Sequence, residues 1–242
     1  MSKSAAKRLL PKVPDLPGAS RRAQYSASTK RALVDAALAQ FSEKGYVATS
    51  LDAIVADAAV TKGALYHHFS GKQALFEAVF ERVEADAARE IAAAAKGVTD
   101  PWEKAIEGLR AFLAVVQEPT YRRVVIQEGP SVLGYERFRE QEERSSFAIV
   151  LDIVDTVLSA GSLRLDEAMT ETFSRIFFGA LSSAGESVSG SEDPEAASLR
   201  VEAAIGFILM GLRSLVDSGV ELHDPVQAPG AAAERLLGLR PD

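Results

Sequence analysis

Residues 49–72 read TSLDAIVADAAVTKGALYHHFSGK, and this stretch predicts the architecture of the first part of the chain. A short helix follows Thr49 or Ser50, either of which can act as its N-cap. The helical pattern is interrupted at residues 59–61, and a second short helix then extends to about Phe69. Two short helices joined by so brief a turn are typical of a helix-turn-helix, whose second helix can enter a DNA major groove.

The second of these helices has one core face and one outer face. Leu65 and Phe69 lie four residues apart and point to the core. The outer face is small or polar near its N-terminal end and consists of Thr61, Lys62, Gly63, Tyr66 and His67. Because glycine weakens a helix by about 1 kcal/mol relative to alanine, Gly63 indicates a close approach, either to another backbone or to base edges.

Charge is distributed unevenly along the 242 residues. The whole chain has 27 Lys+Arg and 34 Asp+Glu, a net charge of −7 that by itself disfavours a nucleic-acid partner. Residues 1–72, however, carry a net charge of +6, and residues 73–242 carry −13. This division indicates a different partner for each part, with chance scatter as the alternative.

The composition excludes several classes of protein. The absence of cysteine excludes disulfides, Cys-ligated zinc, iron–sulfur clusters and a thiol nucleophile. His67 and His68 point about 100° apart on a helix and have no further ligand at helical spacing, so no metal or other cofactor is predicted. No nucleophile motif or phosphate loop occurs, and an enzyme is not expected. The longest strongly apolar run, residues 203–212, is too short to cross a membrane, and a cytoplasmic protein is expected.

The remaining sequence also reads as helix, so the predicted fold class is all-α. Residues 1–27 are predicted to form a disordered basic arm, or a solvated tail without a role. A three-helix domain containing the helix-turn-helix follows over residues 28–72. Residues 73–220 are predicted to form a second helical domain, and residues 221–242 a loose C-terminal tail.

Basic side chains precede the predicted helix-turn-helix. Lys30 and Arg31 lie in the first turn of the first helix, where the helix dipole disfavours cations. A nearby phosphate reverses that preference, so both residues are predicted DNA phosphate contacts, with a solvated position as the alternative. Arg21 and Arg22 in the basic arm are predicted to reach the minor groove, as the N-terminal arms of other DNA binders do.

The segment resembles the DNA-binding domain of the TetR family of transcriptional regulators. The resemblance covers about residues 28–80 and includes the run AVTKGALYHHFSGK within a complete helix-turn-helix. The matching residues are Phe41, Gly45, Tyr46, Thr49, Ile54, Ala58, Val60, Lys62, Gly63, Leu65, Tyr66, His68, Phe69, Lys72 and Leu75. Ala59 departs from the family pattern, in which glycine is common at this position of the turn.

The resemblance implies how this segment binds DNA. The residues expected to contact bases are Thr61, Lys62, Gly63 and Tyr66, with a phosphate as the alternative for Tyr66. The residues expected to contact phosphates are Thr49, His67, His68 and Lys72. A homodimer is expected to place its two recognition helices in successive major grooves of an inverted-repeat operator.

The resemblance also implies roles for the C-terminal helices. The last two long helices are expected to form a dimer interface, with burial inside one chain as the alternative. The expected interface residues are Phe173, Ala180, Ala184, Ile205, Leu209 and Leu212. The preceding helices are expected to enclose a mostly apolar effector cavity, although their aromatic residues equally suit an ordinary core. The expected cavity residues are Trp102, Phe112, Tyr121, Gln127, Phe138, Phe147, Arg175, Phe177 and Phe178, with Arg122, Glu128 and Tyr135 as further polar candidates.

The function that the resemblance implies is a dimeric, sequence-specific repressor that a small apolar or aromatic effector releases from its operator. The fourth helix, from Lys72 to about Lys96, is the expected lever because it is the long connection between the two parts. One alternative is a regulator without an effector, controlled by a protein partner. Another is an all-helical small-molecule binding protein without a DNA function.

Overall fold

The described part of the chain consists of helices and the turns between them. The computed structural model describes residues 17–159 and 166–218, with side chains from residue 23 onward. Ten α-helices and one π-helix lie within these ranges, and no strand does, which confirms the predicted all-α class. None of the described helices combines the length and the apolar character that a membrane span requires.

The helices follow one another with short connections. The first four are α1 (Pro17–Ala48), α2 (Leu51–Asp57), α3 (Lys62–His68) and α4 (Lys72–Ala94). The central ones are α5 (Pro101–Val115), α6 (Pro119–Tyr121), the π-helix (Arg122–Glu128) and α7 (Gly129–Leu133). The last three are α8 (Tyr135–Ser159), α9 (Glu167–Ser189) and α10 (Pro194–Asp217).

The first helix begins earlier than the sequence indicated. Helix α1 starts at Pro17, so residues 17–27 are helical, and the prediction of a disordered arm is wrong for them. Proline suits a first helical position because it lacks the N–H that the first turn leaves unpaired. Arg21 and Arg22 therefore lie on a helix, and their reach into a minor groove stays a prediction. Lys30 and Arg31 lie in the interior of α1, so their predicted position in its first turn is wrong, and their phosphate contacts stay a prediction. Residues 1–16 and the predicted tail over residues 221–242 lie outside the described residues.

Two aspartate–proline pairs start long helices, as predicted from the sequence. Asp100 accepts hydrogen bonds from two N–H groups in the first turn of α5, both at 2.9 Å, and Pro101 follows it. Asp193 and Pro194 repeat the arrangement at α10, where the carboxylate accepts an N–H at 3.0 Å. These caps satisfy backbone donors that a helix start otherwise leaves unpaired.

One apolar core extends from the N-terminal helices into the central ones. It joins buried residues of α1 to α4 with residues of the π-helix and α7: Leu33, Ala37, Phe41, Ile54, Leu65, Leu75, Phe76, Val79, Phe80, Val124, Val125 and Leu133. The core has no break at the predicted domain boundary of residue 72. Helices α5, α8, α9 and α10 pack against one another, and α5 and α8 also contact α4.

The turn between α2 and α3 contains a strained residue. Ala59 has a φ of 52°, in the left-handed region, and is the only non-glycine residue there within the described ranges. In this conformation a Cβ lies too close to the following carbonyl oxygen. The strain falls at the position where the family pattern often has glycine.

Replacing Ala59 with glycine is expected to stabilise the protein by about 1 kcal/mol, because glycine adopts this φ without the Cβ penalty. The free energy of unfolding in urea measures the change. Ala56→Gly is the matched control, since Ala56 is exposed within α2 and glycine there is expected to cost about 1 kcal/mol. Effects of the same sign at both positions would contradict the assignment of strain to Ala59.

Candidate nucleic-acid interface and internal cavity

The helix-turn-helix is held by a cap on each helix and by a buried core face. The Ser50 hydroxyl caps α2 by accepting from the Ala53 N–H at 3.1 Å, so Ser50 is the N-cap of the two predicted alternatives. The Thr61 hydroxyl caps α3 by accepting from the Ala64 N–H at 3.2 Å. Leu65 is buried beneath α3, which leaves the opposite side of this helix open to the outside.

The predicted base-contact residues lie on the exposed part of α3 and at its cap. Thr61, Lys62 and Gly63 are exposed, and Tyr66 is 59% exposed. The Lys62 Nζ lies 2.6 Å from the Oδ1 of Asp52 in α2. This hydrogen bond, together with the Asp52 charge, raises the pKa of Lys62. Because both side chains are well exposed, the ion pair is weak and can exchange for another acceptor.

Gly63 has open space around it. Among the described residues, a Cβ at this position would have only the Thr61 hydroxyl nearby, at an ordinary van der Waals distance of 3.8 Å. A close approach to another backbone of this chain, one of the two explanations offered for Gly63, is therefore wrong. An approach from outside the chain is the explanation that remains for a glycine inside α3.

Two predicted phosphate-binding lysines rest on aromatic rings beside α3. The Lys72 Nζ lies 4.4 Å from the centroid of the Tyr46 ring and 3.4 Å from the Val47 carbonyl oxygen. Partial burial lowers the pKa of Lys72. The Lys30 Nζ lies 5.8 Å from the centroid of the Phe69 ring. These cation–π contacts hold both ammonium groups close to the helix-turn-helix.

The other basic candidates near α3 are accessible. Arg31 and His67 are exposed, and His68 is half-buried. The two histidine rings meet edge to face, with 5.1 Å between their centroids. No group of three or more metal-binding side chains converges within the described ranges.

Thr49 lies inside the protein, contrary to the prediction of a phosphate contact. It is 2% exposed, and its hydroxyl donates to the Gly45 carbonyl at 2.7 Å, with the Gln40 carbonyl at 3.1 Å. The prediction is wrong because the hydroxyl is enclosed and closes the end of α1. A side chain so placed stabilises the turn into α2 and has no path to a DNA phosphate.

A carboxylate of the central part binds the turn that precedes α2. Gly45 has a φ of 80° and breaks the helical path of α1. The N–H of the next residue, Tyr46, donates to both oxygens of Glu128, at 2.9 and 3.0 Å. Glu128 ends the π-helix, 82 residues further along the chain. The expectation that Glu128 orients a ligand is therefore wrong, because its carboxylate binds the helix-turn-helix part.

Gly45 makes room for this contact between the two parts. A Cβ at residue 45 would lie 2.5 Å from the Oε1 of Glu128 and 2.6 Å from the Nη2 of Arg123. Arg123 also lies 3.9 Å from the Glu128 carboxylate. The π-helix is thus a second connection between the two parts, in addition to α4.

The central and C-terminal helices enclose a cavity of about 140 Å³. An apolar cavity of about 150 Å³ accommodates a benzene ring. Its lining comes from α4, α5, α6, the π-helix, α8, α9 and α10 and is mostly apolar. Five of the nine predicted cavity residues line it, namely Phe112, Tyr121, Phe138, Phe177 and Phe178.

Four predicted cavity residues lie elsewhere, so their assignment is wrong. Trp102 lines a separate depression between α5 and α10. Gln127 is exposed. Phe147 packs edge-on against Phe178, with 5.6 Å between centroids, and the exposed Arg175 lies 5.2 Å from the Phe147 ring. None of these four residues lines the cavity, and neither do Arg122, Glu128 and Tyr135.

A buried carboxylate, which was not predicted from the sequence, lies behind the cavity wall. Glu84 of α4 is 2% exposed and accepts hydrogen bonds from three hydroxyls. These are Tyr121 at 2.8 Å, Ser145 at 2.5 Å and Ser146 at 2.8 Å. Burial and the Glu84 charge raise the pKa of Tyr121 well above its usual value, so its hydroxyl stays protonated and donates.

Two further carboxyl groups line the cavity itself, Glu142 of α8 and Glu186 of α9. Burial raises the pKa of Glu142 to about 7. The negative charges of Glu84 and Glu186 also raise this pKa, whereas the positive charge of Arg139 lowers it. The sequence did contain a signal for Glu142, because it follows Phe138 by four residues on the inner face of α8.

Helix α10 is apolar on two sides, and the predicted dimer residues are on the inner one. Ile205, Leu209 and Leu212 line the cavity, and Phe173 of α9 packs against Val154. These four residues are half-buried against their own chain, and their assignment to a dimer interface stays a prediction. Of the other two predicted interface residues, Ala180 is exposed and Ala184 is half-buried. The large apolar residues on the outer side, each 54–69% exposed, are Ile176, Leu199, Phe207, Ile208 and Met210.

Family models match both parts of the chain. Residues 33–79 match the model described as bacterial regulatory proteins, tetR family. Residues 102–212 match the model described as tetracyclin repressor-like, C-terminal domain. The first match contains the helix-turn-helix, and the second contains most of the cavity lining.

Curated regulators are similar over part of their length. The chain is 30% identical over 134 residues to the transposon Tn10 TetC protein of Escherichia coli, which covers 54% of this chain and 64% of TetC. It is 36% identical over 103 residues to the HTH-type transcriptional regulator AcrR of Shigella flexneri, which covers 42% of this chain and 46% of AcrR. The chain thus spans less than two thirds of the length of these relatives.

A solved structure is similar across most of the chain. The crystal structure of a TetR-family transcriptional regulator from Pectobacterium atrosepticum superposes with a TM-score of 0.69 at 28% sequence identity. The similarity covers 78% of this chain and 96% of the other. The arrangement of the helices is therefore shared from the helix-turn-helix into the C-terminal part.

Replacing Gly45 with alanine is expected to destabilise the protein more than replacing Gly134. Both glycines combine a φ of 80° with an extended ψ, of 170° and 160°, a conformation that is essentially restricted to glycine. Alanine therefore costs about 1–3 kcal/mol of strain at either position. A Cβ at residue 134 meets nothing within 4 Å, whereas one at residue 45 displaces the Glu128 carboxylate. Loss of that acceptor by the part-buried Tyr46 N–H adds up to about 1–3 kcal/mol. Urea unfolding of both variants measures the difference, and equal losses would show that the Glu128 contact does not stabilise the fold.

Proposed function

This chain belongs to the TetR family of transcriptional regulators, and we propose that it is a homodimeric repressor that a small molecule releases from an inverted-repeat operator. The observation that carries the proposal is the exposed side of α3, which is small and polar while the opposite side is buried. The cavity in the C-terminal part supports a ligand-controlled regulator over one that needs no effector. Members of this family are regulators and not enzymes, so we assign no reaction.

Helix α3 is the proposed recognition helix. Thr61, Lys62, Gly63 and Tyr66 contact base edges in this proposal, and Lys62 exchanges its weak Asp52 pair for an acceptor on DNA. The phosphate contacts come from Lys30, Arg31, His67, His68 and Lys72. These contacts neutralise phosphates and make the affinity strongly dependent on salt.

The proposed dimer forms through the outer side of α9 and α10. Monomeric proteins rarely expose large contiguous apolar patches, and such patches mark sites of protein association. Phe207 and Met210 are 69% and 59% exposed on α10, and Ile176 is 64% exposed on α9. In this proposal a two-fold axis at this surface pairs the two chains, and operator binding requires roughly 34 Å between their α3 helices, the distance between successive major grooves.

Release by a ligand requires a connection from the cavity to α3. Val125 and Ile126 of the π-helix line the cavity, and Glu128 at the end of the same helix binds the Tyr46 N–H. A ligand that fits one position of the π-helix better than another therefore changes how the helix-turn-helix is held. The two chains of a dimer then present their recognition helices at a spacing that no longer fits the operator.

Replacing Gly63 with alanine is expected to weaken operator binding without unfolding the protein. The added methyl has free space within the chain, and it favours the helix by up to about 1 kcal/mol. Against base edges the same methyl is expected to cost about 1–3 kcal/mol. Gel shifts with DNA from upstream of the coding region, at two salt concentrations, measure the affinity. Asp155→Ala on the exposed side of α8 is the control, and an unchanged affinity of Gly63→Ala would remove α3 from the base contacts.

Replacing Phe207 with glutamate is expected to dissociate the dimer. Burial of one phenylalanine stabilises an interface by about 1.5–3 kcal/mol, and symmetry doubles the effect, so the dissociation constant rises on the order of a hundredfold or more. Sedimentation equilibrium measures this change. Tyr135→Glu is the matched control, because Tyr135 is an equally exposed aromatic residue outside α9 and α10. A Phe207→Glu variant that stays dimeric would place the interface on another surface.

A further inference from the structure

The polar part of the cavity lining indicates the chemical class of its ligand. The polar side chains among the described lining residues are Tyr121, Glu142, Ser146, Ser182 and Glu186. Two of these five are carboxyl groups, and the described lining includes no lysine, arginine or histidine. The cavity therefore combines an apolar wall with negative charge.

The hydroxyl donors of the cavity wall are already engaged. Tyr121 and Ser146 both donate to Glu84, which lies behind the lining. Each of these hydroxyls has one hydrogen, so neither serves Glu142 or Glu186 while the Glu84 contacts persist. The Glu84 carboxylate accepts from these hydroxyls, and the half-buried Glu142 receives no hydrogen bond from them.

Glu142 and Glu186 have no ion pair or side-chain hydrogen bond among the described residues. The arginine whose charge acts on Glu142 is Arg139, and its Nη2 lies 3.6 Å from the outer carboxylate of Glu143. Glu186 is exposed, but Glu142 is half-buried against the apolar lining, where a carboxylate without a partner is unfavourable. Burial and the neighbouring carboxylates accordingly raise the pKa of Glu142 to about 7.

We propose that the cavity binds an organic cation, an amine or ammonium group on a small aromatic or apolar body, with its nitrogen against Glu142 and Glu186. The inference rests on the proposed function, since it names the class of effector for the same cavity. The body of the ligand lies among Phe112, Phe177 and Phe178, whose rings also favour a nearby cation. An anion is repelled by both carboxylates, and a neutral ligand leaves them without a counter-charge.

The test compares three probes that share one ring and differ in charge. Calorimetric titration of the full chain with 2-phenylethylamine, 2-phenylethanol and phenylacetate measures their affinities. We expect the amine to bind at least about tenfold more tightly than the alcohol, because a hydrogen bond to a charged group exceeds a neutral one. Phenylacetate is expected to bind most weakly.

Substitution of the two carboxyl groups locates the cation. Glu142→Gln keeps the size of the side chain and is expected to reduce amine affinity about tenfold or more while leaving alcohol affinity nearly unchanged. Glu186→Gln is expected to act in the same direction. The matched control is Glu143→Gln at the next, exposed position of α8, which is expected to keep the preference for the amine.

The pH dependence supplies an independent readout. The groups that act on Glu142 are Glu84 from α4, Glu186 from α9, and Arg139 and Glu143 from α8 itself. A cation binds the ionised form of Glu142, so amine affinity rises as the pH passes through about 7 and levels off above it. The expected increase from about pH 6 to about pH 8 is roughly tenfold. The alcohol shows no such dependence.

The outcomes separate this inference from the proposed function. Tighter binding of the alcohol or the acid, no binding of the amine, or unchanged amine affinity in Glu142→Gln would overturn the cation assignment while operator binding stays intact. Absence of operator binding by the unmodified chain, with amine binding intact, would overturn the repressor and leave a cation-binding protein.

Discussion

The hydrogen bonds from the Tyr46 N–H to the Glu128 carboxylate are the constraint that joins the helix-turn-helix to the rest of the chain. Two local features make them possible. Gly45 takes a positive φ that turns the chain out of α1, and its lack of a side chain leaves space for the carboxylate. The π-helix, a rare form that often occurs at functional sites, brings Glu128 to this place. Because other residues of the same seven-residue helix line the cavity, one short element touches both candidate sites.

Helix α4 forms the second connection, and it converges on the same segment. Lys72 at its start rests on the Tyr46 ring, the residue whose N–H Glu128 binds. Glu84, further along α4, accepts from Tyr121, which immediately precedes the π-helix. Both connections therefore meet at residues 121–128. A change in the cavity that moves this segment acts on the helix-turn-helix through two contacts at once, which is a physical basis for coupling between two sites.

Local rules predicted most of the fold, and contacts distant in sequence account for the errors. Helix starts with a side-chain cap, such as Asp100, depend on neighbouring residues and were predicted correctly. Thr49 and Glu128 were assigned wrongly because their partners depend on tertiary packing, in one case 82 residues away. Leu209 of α10 was predicted for a dimer interface and lines the cavity, whereas Phe207 of the same helix is exposed. Periodicity alone cannot separate these two sides, because apolar residues surround the helix. Five of the seven aromatic residues predicted for the cavity line it. The sequence could not exclude the other two, because an aromatic residue suits a core as well as a cavity.

The contacts of the charged side chains show how the positive first part and the negative second part of the chain use their charges. In the first part, exposed lysines such as Lys62 form only weak ion pairs, so their charge is available to an anionic ligand at the surface. In the second part, Glu84 is buried and Glu142 is half-buried, and both Glu142 and the exposed Glu186 line the cavity. A carboxylate in apolar surroundings lowers stability unless a partner compensates it, so the positions of Glu84 and Glu142 call for an explanation beyond solubility. Three hydroxyls compensate Glu84, and a bound cation would do the same for Glu142. In the proposed function, the exposed surface of the helix-turn-helix binds DNA, which is an anionic polymer, and the cavity of the second part binds a small cation.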